Sequence, residues 1–130
     1  MELQFANVAR LSEIDAAFAS FSHQRADALF VSADGFLLTN SAHVVALAAR
    51  YKIPAIYGWR QAVSLGGLMS YGTSFPDAWR QAGVYTGSEK PSELPVQQVT
   101  EIELIIDLRM AKAFGVTVPL SLLGSAEVTE

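Results

Sequence analysis

The side chains best placed to do chemistry in this chain stand where apolar runs end. Asp34 comes two residues after the run "ALFVS", behind Ser32 at the strand end. A short carboxylate there can accept backbone N–H bonds as an Asx turn, or hold the ammonium group of a ligand. "AIYGWR" closes on Tyr57, Gly58, Trp59 and Arg60, and "LMSYG" adds Tyr71. Tyrosine and tryptophan offer a large apolar body with one polar tip, which suits small-molecule binding. The same rings could instead pack between helices and a sheet edge, and Arg60 could pair with a carboxylate or begin a surface helix. His23 and His43 have no HxxxH or HExxH partner and read as helix-surface residues. Glu101 and Glu103, at i, i+2 spacing, read as the solvated face of a strand.

No catalytic arrangement can be assembled from these groups. The sequence has no GxGxxG, no GxxxxGK[ST] and no GxSxG, and "SLGGLMSYG" lacks phosphate-loop spacing. It has no cysteine, which excludes disulfides, thiolate nucleophiles and cysteine metal sites. The expectation is therefore a binding protein and not an enzyme, with no cofactor and no metal.

The elements that must position these residues are legible from periodicity. The 130 residues, 51% hydrophobic and 17% charged, predict one compact domain over 1–130. Nine basic residues, scattered through a chain of net charge −4, leave no footprint for nucleic acid. No apolar run approaches a membrane span of roughly 20 residues. The N-terminus has no basic, then apolar, signal-peptide pattern, which points to the cytoplasm if Met1 is the true start.

Leu3 to Val8 alternates like a short strand, and Ser12 is placed to cap a helix carrying Ile14, Phe18 and Phe21. Ala28 to Ser32 reads as a strand buried on both faces. Ser41 is placed to cap a helix with Val44, Leu47 and Ala48 on one stripe, and "IPAIY" is the next strand. "VSLGGLMSY" gives a short helix, a double-glycine break and another strand, and "SFPDAWRQAGVY" a helix opened by Pro76. Residues 88–95 form a linker or hinge. "IELIID" is a buried strand, followed by a helix capped by Asp107 and stopped by Gly115, then one short helix and a frayed end. The alternation predicts an α/β fold: an open, mainly parallel sheet flanked by helices in three layers, with ligands outside the C-terminal strand ends.

"RADALFVSAD", "LAARYKIPAIYGWRQAVSLGGLMSYG", "AWRQAGVY" and "KPSELPVQQVTEIELIIDLRMAKAFGVTVPLSLL", in this order, resemble the ABC-transporter substrate-binding proteins of the tryptophan and aromatic-amino-acid type. The resemblance covers nearly the whole chain. It implies the type I periplasmic-binding-protein fold: two α/β lobes, three crossings, a small ligand (an amino acid or other small organic compound) in the cleft, a permease partner and a periplasmic location. It maps Ser32, Asp34 and Tyr57 to Arg60 beside the ligand, matches Gly66 to Gly72 to the entry into the other lobe's sheet, and assigns 58–87 to a segment of that lobe. The chain then corresponds to a truncated C-terminal lobe without its first strand–helix unit. The sheet edge so exposed predicts homo-oligomers.

Two departures bear on the ligand. Gly35 follows Asp34 where amino-acid-binding relatives have Asn, and Arg60 stands where they place an acid. A cation in place of an acid tilts the expectation toward an anionic or neutral ligand. The leading expectation is a solute-binding component of an importer. The alternative is a cytoplasmic ligand-sensing or interaction module built from half of this fold.

Overall fold

The computed structural model describes residues 2–74, 79, 80, 83 and 102–129. Its first helix, α1 (Leu11–His23), turns Ile14 and Phe18 inward, as their helical spacing requires. Ser12 does not cap it. The cap position is Arg10, without a side-chain bond, and the Glu13 carboxylate instead accepts the Ala9 N–H at 2.8 Å. The alternating residues before it form no strand, and Leu3 and Phe5 stand 66% and 87% exposed. Alternation makes a strand only where a neighbour completes the ladder.

After β1 (Leu29–Val31), the short helix α2 (Gly35–Thr39) runs through Asn40 into α3 (Ser41–Tyr51). Ser41 lies inside the first turn of α3, its hydroxyl donating back to the Leu38 carbonyl, so it is not the cap. Val44, Leu47 and Ala48 are buried as the stripe requires. β2 (Ala55–Tyr57), α4 (Gln61–Ser64) and β3 (Met69–Thr73) follow. The chain then resumes with β4 (Ile102–Asp107), α5 (Leu108–Phe114), α6 (Leu120–Leu123) and β5 (Glu127–Thr129). β5 replaces the frayed end expected there. Trp79, Arg80 and Gly83 are helical. The remainder of the helix expected over "SFPDAWRQAGVY", and the linker at 88–95, lie outside the described residues.

The five strands form one sheet in chain order, parallel except where β3 meets β4. Within 58–87, the range that the resemblance assigns to the other lobe, residues 69–73 form β3, which bonds to β2 on one side and to β4 on the other. The register aligns Val31, Tyr57, Ser70, Ile105 and Glu127 in one row. Its left half joins α1 and α3 in the core with Ile14, Phe18, Val44, Leu47 and Ala48. Phe30, Ile56, Met69, Ile106 and Val128 form the next row, on the other face. There Phe30 is 65% exposed, so β1 is buried on one face and not on two. It is the edge of the sheet, and only the Leu29 and Val31 side packs on the core.

The reversal at β4 divides the sheet into two ends. The C-terminal ends of β1, β2 and β3 lie together at one end, and that of β4 lies at the other. A right-handed crossover from the reversed β4 to β5 carries α5 to the face opposite α3 and α4. Ile106 on that face is 1% exposed, unlike Phe30 in the same row.

Asp107 holds the β4–α5 junction. It is 3% exposed and its Oδ1 accepts N–H bonds from Arg109 (2.9 Å) and Met110 (3.1 Å), while Oδ2 meets the Arg109 guanidinium at 3.1 Å. Burial opposes its ionisation. The Arg109 side chain and the two amides outweigh that, and hold the carboxyl below its ordinary 3.8. A lowered native pKa adds stability above the unfolded value, and that stability is lost as pH falls through the native one. Asp107→Ala is expected to cost roughly 1–2 kcal/mol at neutral pH, as loss of a cap does. The deficit should narrow below pH 3.8. Urea unfolding of both proteins across the acid range checks this, and a gap that widens on acidification contradicts it.

Candidate ligand-binding site at the strand ends

Parallel strands end with their carbonyls and the following helix N-termini at one edge, so loops there can present groups to a ligand. Ser32 and Asp34 are exposed at this edge. Asp34 is the N-cap of α2: its Oδ1 accepts from Phe36 N–H at 2.9 Å and Leu37 N–H at 3.3 Å. The Asx-turn reading is therefore realised, and it leaves Oδ2 of this exposed residue without a partner among the described residues. Gly58 donates its N–H to the Val31 carbonyl at 3.0 Å, binding the two strand ends together.

The backbones here are too close for side chains between them. A Cβ on Gly58 would lie 2.8 Å from the Ala33 nitrogen, and one on Gly72 would collide with the Gly58 carbonyl oxygen. Three successive strand exits thus stack backbone on backbone, a rigid base for the exposed Ser32–Asp34 loop. Gly72 was not singled out from the sequence. Its place two residues after Ser70 in "SYGTS" puts it on the covered face, which is the signal that could have found it.

The aromatic residues are divided differently from the expectation. Tyr57 and Trp59 are each 1% exposed and meet edge to face, ring centroids 5.7 Å apart at 65°. Burial pushes the Tyr57 phenol well above its ordinary pKa, so it stays neutral. Both rings belong to the core. The Trp59 indole N–H is buried with no acceptor among the described residues. Tyr71 is 52% exposed, but the pleat turns it to the face opposite Tyr57.

Arg60 is committed to carboxylates. Its Nη1 donates to Glu103 Oε2 at 3.1 Å and its Nη2 to both oxygens of Glu127 at 3.4 Å. The i, i+2 spacing predicts a solvated Glu103, yet "IELIID" places it on the same face as the buried Ile105 and Asp107. Glu127 had no signal, because β5 is only three residues long. Two carboxylates on one guanidinium leave a surplus negative charge, so Arg60 presents no free positive charge to a ligand. His43 bridges to Asp15 at 3.2 Å, joining α3 to α1 on the surface. Among the described residues no group of acids and histidines could hold a metal ion, and no helix is long and apolar enough to cross a membrane.

The family model described as "ABC transporter substrate binding protein" matches residues 1–129. No curated protein matches the chain. Among solved structures, a complex of an ABC domain with L-Trp from Streptococcus pneumonia is 25% identical, with a TM-score of 0.75 over 94% of this chain and 44% of its own. A conserved domain protein from Vibrio cholerae is 22% identical, with a TM-score of 0.73 over 92% of this chain and 41% of its own. A ligand-free, open substrate-binding protein with adhesive properties from Clostridium difficile is 20% identical, with a TM-score of 0.63 over 95% and 42%. The chain therefore spans less than half the length of each of these structures.

The stacked strand exits predict a sharp contrast between two glycines. Gly72→Ala should cost about 1–3 kcal/mol, the usual range for overpacking. Gly35→Ala places its Cβ in open space at the first turn of α2 and should be neutral or stabilising by roughly 0.4–1 kcal/mol. Urea midpoints measure both. Equal stability of Gly72→Ala and the parent would refute the close stacking.

Proposed function

The chain belongs to the ABC transporter substrate-binding protein family, and on that premise we propose that it is a solute-binding part of an importer. It binds a small molecule at the C-terminal ends of β1 to β3, in a cleft closed by further polypeptide, and does no chemistry on it. Its place is periplasmic, and the loaded form delivers its ligand to a membrane permease.

We further propose that the ligand carries an ammonium group. The observation behind this is the distribution of charge at the strand ends. Asp34 is exposed, with only Oδ1 engaged among the described residues, while Arg60, in the loop after β2, is taken up by Glu103 and Glu127. This reverses the tilt toward an anionic ligand that Arg60 suggests when its partners are unknown. Of the other residues mapped to the ligand, Ser32 and the Gly58 backbone support this reading by position. Tyr57 and Trp59 support it from below, as the packed layer that fixes the loop. Tyr71 faces away from them and, in this proposal, does not touch ligand. The Streptococcus neighbour holds L-Trp, an ammonium-bearing aromatic ligand, so aromatic amino acids are the first class to try.

Assembly belongs to the same proposal. β1 has no strand neighbour on its outer side among the described residues, and Phe30 stands exposed on it. Such an edge favours pairing with another chain, and equilibrium sedimentation that finds only monomer removes this part.

The ligand proposal is tested by thermal shift and calorimetry with L-Trp against indole-3-propionate, the same skeleton without the amine. L-Trp at about 100 times its Kd should add ~2.7 kcal/mol to stability, and the deaminated acid little. Asp34→Asn keeps a good cap, since Asn serves as well as Asp there. It should nevertheless weaken L-Trp binding by roughly tenfold, the loss of one charge-assisted contact. Equal binding of the two compounds, an unchanged Asp34→Asn, or no stabilisation by any aromatic amino acid at millimolar concentration overturns the proposal.

A further inference from the structure

A concave site runs from Arg60, after β2, away from the Ser32–Asp34 loop. Its cavity of about 420 Å³ runs between α4 and the β4–β5 side of the sheet, a volume within the range of small-molecule pockets. The register fixes its position. Asp107 donates its N–H to the Leu68 carbonyl, one residue before β3 begins, and Thr129 pairs with Asp107. The groove therefore reaches the end of the sheet opposite Ser32 and Gly58.

Val63 and Ile105, each no more than 5% exposed, form an apolar floor. Its walls carry charges of both signs. On one side Arg109 is anchored through a single Nη2 contact to Asp107, and its side chain is 71% exposed. A guanidinium has five N–H donors, so this one, although Asp107 balances its charge, keeps donors available to an oxyanion. On the other side stands Glu127, 57% exposed, held only by 3.4 Å contacts to an Arg60 that Glu103 already neutralises at 3.1 Å. The surplus negative charge of the cluster therefore resides on Glu127, the more exposed and more weakly held carboxylate.

We propose that this groove is a binding site for a small zwitterion, with the ligand's carboxylate on Arg109, its ammonium on Glu127 and its methylene chain on Val63 and Ile105. A plain anion would meet Glu127 across the cavity, and a plain cation would meet Arg109. A molecule carrying both charges satisfies both walls. The buried Asp107 fixes the anion side: its two amide bonds and the Arg109 contact hold the guanidinium at the rim. The inference does not depend on a ligand at the strand ends: the two sites share the Arg60–Glu127 pairing, but Asp34 lies outside the groove.

Titration of the full chain with glycine, β-alanine and γ-aminobutyrate, followed by amide and methyl NMR, tests it. The series varies the separation of the two charges over one apolar chain. At least one member should give saturable shifts at Val63, Ile105 and Thr129, whereas propionate and propylamine should not. Arg109→Gln and Glu127→Gln should each weaken that binding roughly fivefold to tenfold, the scale of one charge-assisted contact at a half-exposed position. Both residues are surface-exposed, and amide spectra of the variants confirm their fold. Asp34→Asn should leave this titration unchanged, which separates its outcome from that of the strand-end site. Absence of saturable shifts, equal response to propionate or propylamine, or a loss in only one of the two variants overturns the proposal.

Discussion

Burial of Tyr57 is the constraint on which the strand-end geometry depends. The side chain sits mid-sheet at 1% exposure, and its neighbours give way to it. A Cβ on Gly67 would lie 2.8 Å from the Tyr57 ring and 2.7 Å from the Ala62 carbonyl oxygen, so the second glycine of the pair is a packing requirement. Gly66 takes the left-handed conformation (φ 95°) that turns the chain from α4 toward β3. Trp59 closes over the tyrosine edge to face, and this pulls the chain leaving β2 down onto the core. The residues after it then emerge at a fixed height, with Arg60 aimed at β4 and β5. A side chain that looks like a ligand contact in the sequence thus acts one layer beneath the loop that could make one.

Two aspartates perform the same local task with different consequences. Asp34 just after β1 and Asp107 at the end of β4 each cap the next helix and accept from the amides two and three residues on. Asp107 is buried and its second oxygen is occupied by Arg109, so its capacity is spent within the fold. Asp34 is exposed, and its second oxygen has no partner among the described residues. Local sequence cannot distinguish the two, since both lie between an apolar run and a helix. Sheet order does: β1 is an edge and β4 an interior strand.

That contrast also shows how much could be read in advance. The α/β alternation, the strand "IELIID", the caps at Asp107 and Gly115 and the stripe of α3 all follow from side-chain period and cap chemistry, which act within a few residues. What could not be read depends on distant partners. Leu3 to Val8 alternates but finds no ladder. Phe30 is apolar in a buried-looking run but lies on the bare side of an edge strand. Ser12 and Ser41 have cap chemistry, yet the helix starts are set by Arg10 and Asn40. The site suffered most from this blindness. The charge of Arg60 could be seen, but not the carboxylates 43 and 67 residues away that absorb it.

The reversal of β4 turns these separate facts into one arrangement. Had β4 run parallel to β3, Asp34 and Asp107 would cap helices at the same end, with Arg109 beside the strand-end loops. Reversal carries Asp107 and Arg109 to the opposite end and brings Glu103 level with Gly72, within reach of Arg60. β5, parallel to β4, then places Glu127 level with Ile105 on the same face. One guanidinium thereby ties the exit of β2 to both strands beyond the reversal. The exposed carboxylate of Asp34 keeps one end of the sheet acidic, and the opposed Arg109 and Glu127 give the groove on the far side both signs of charge.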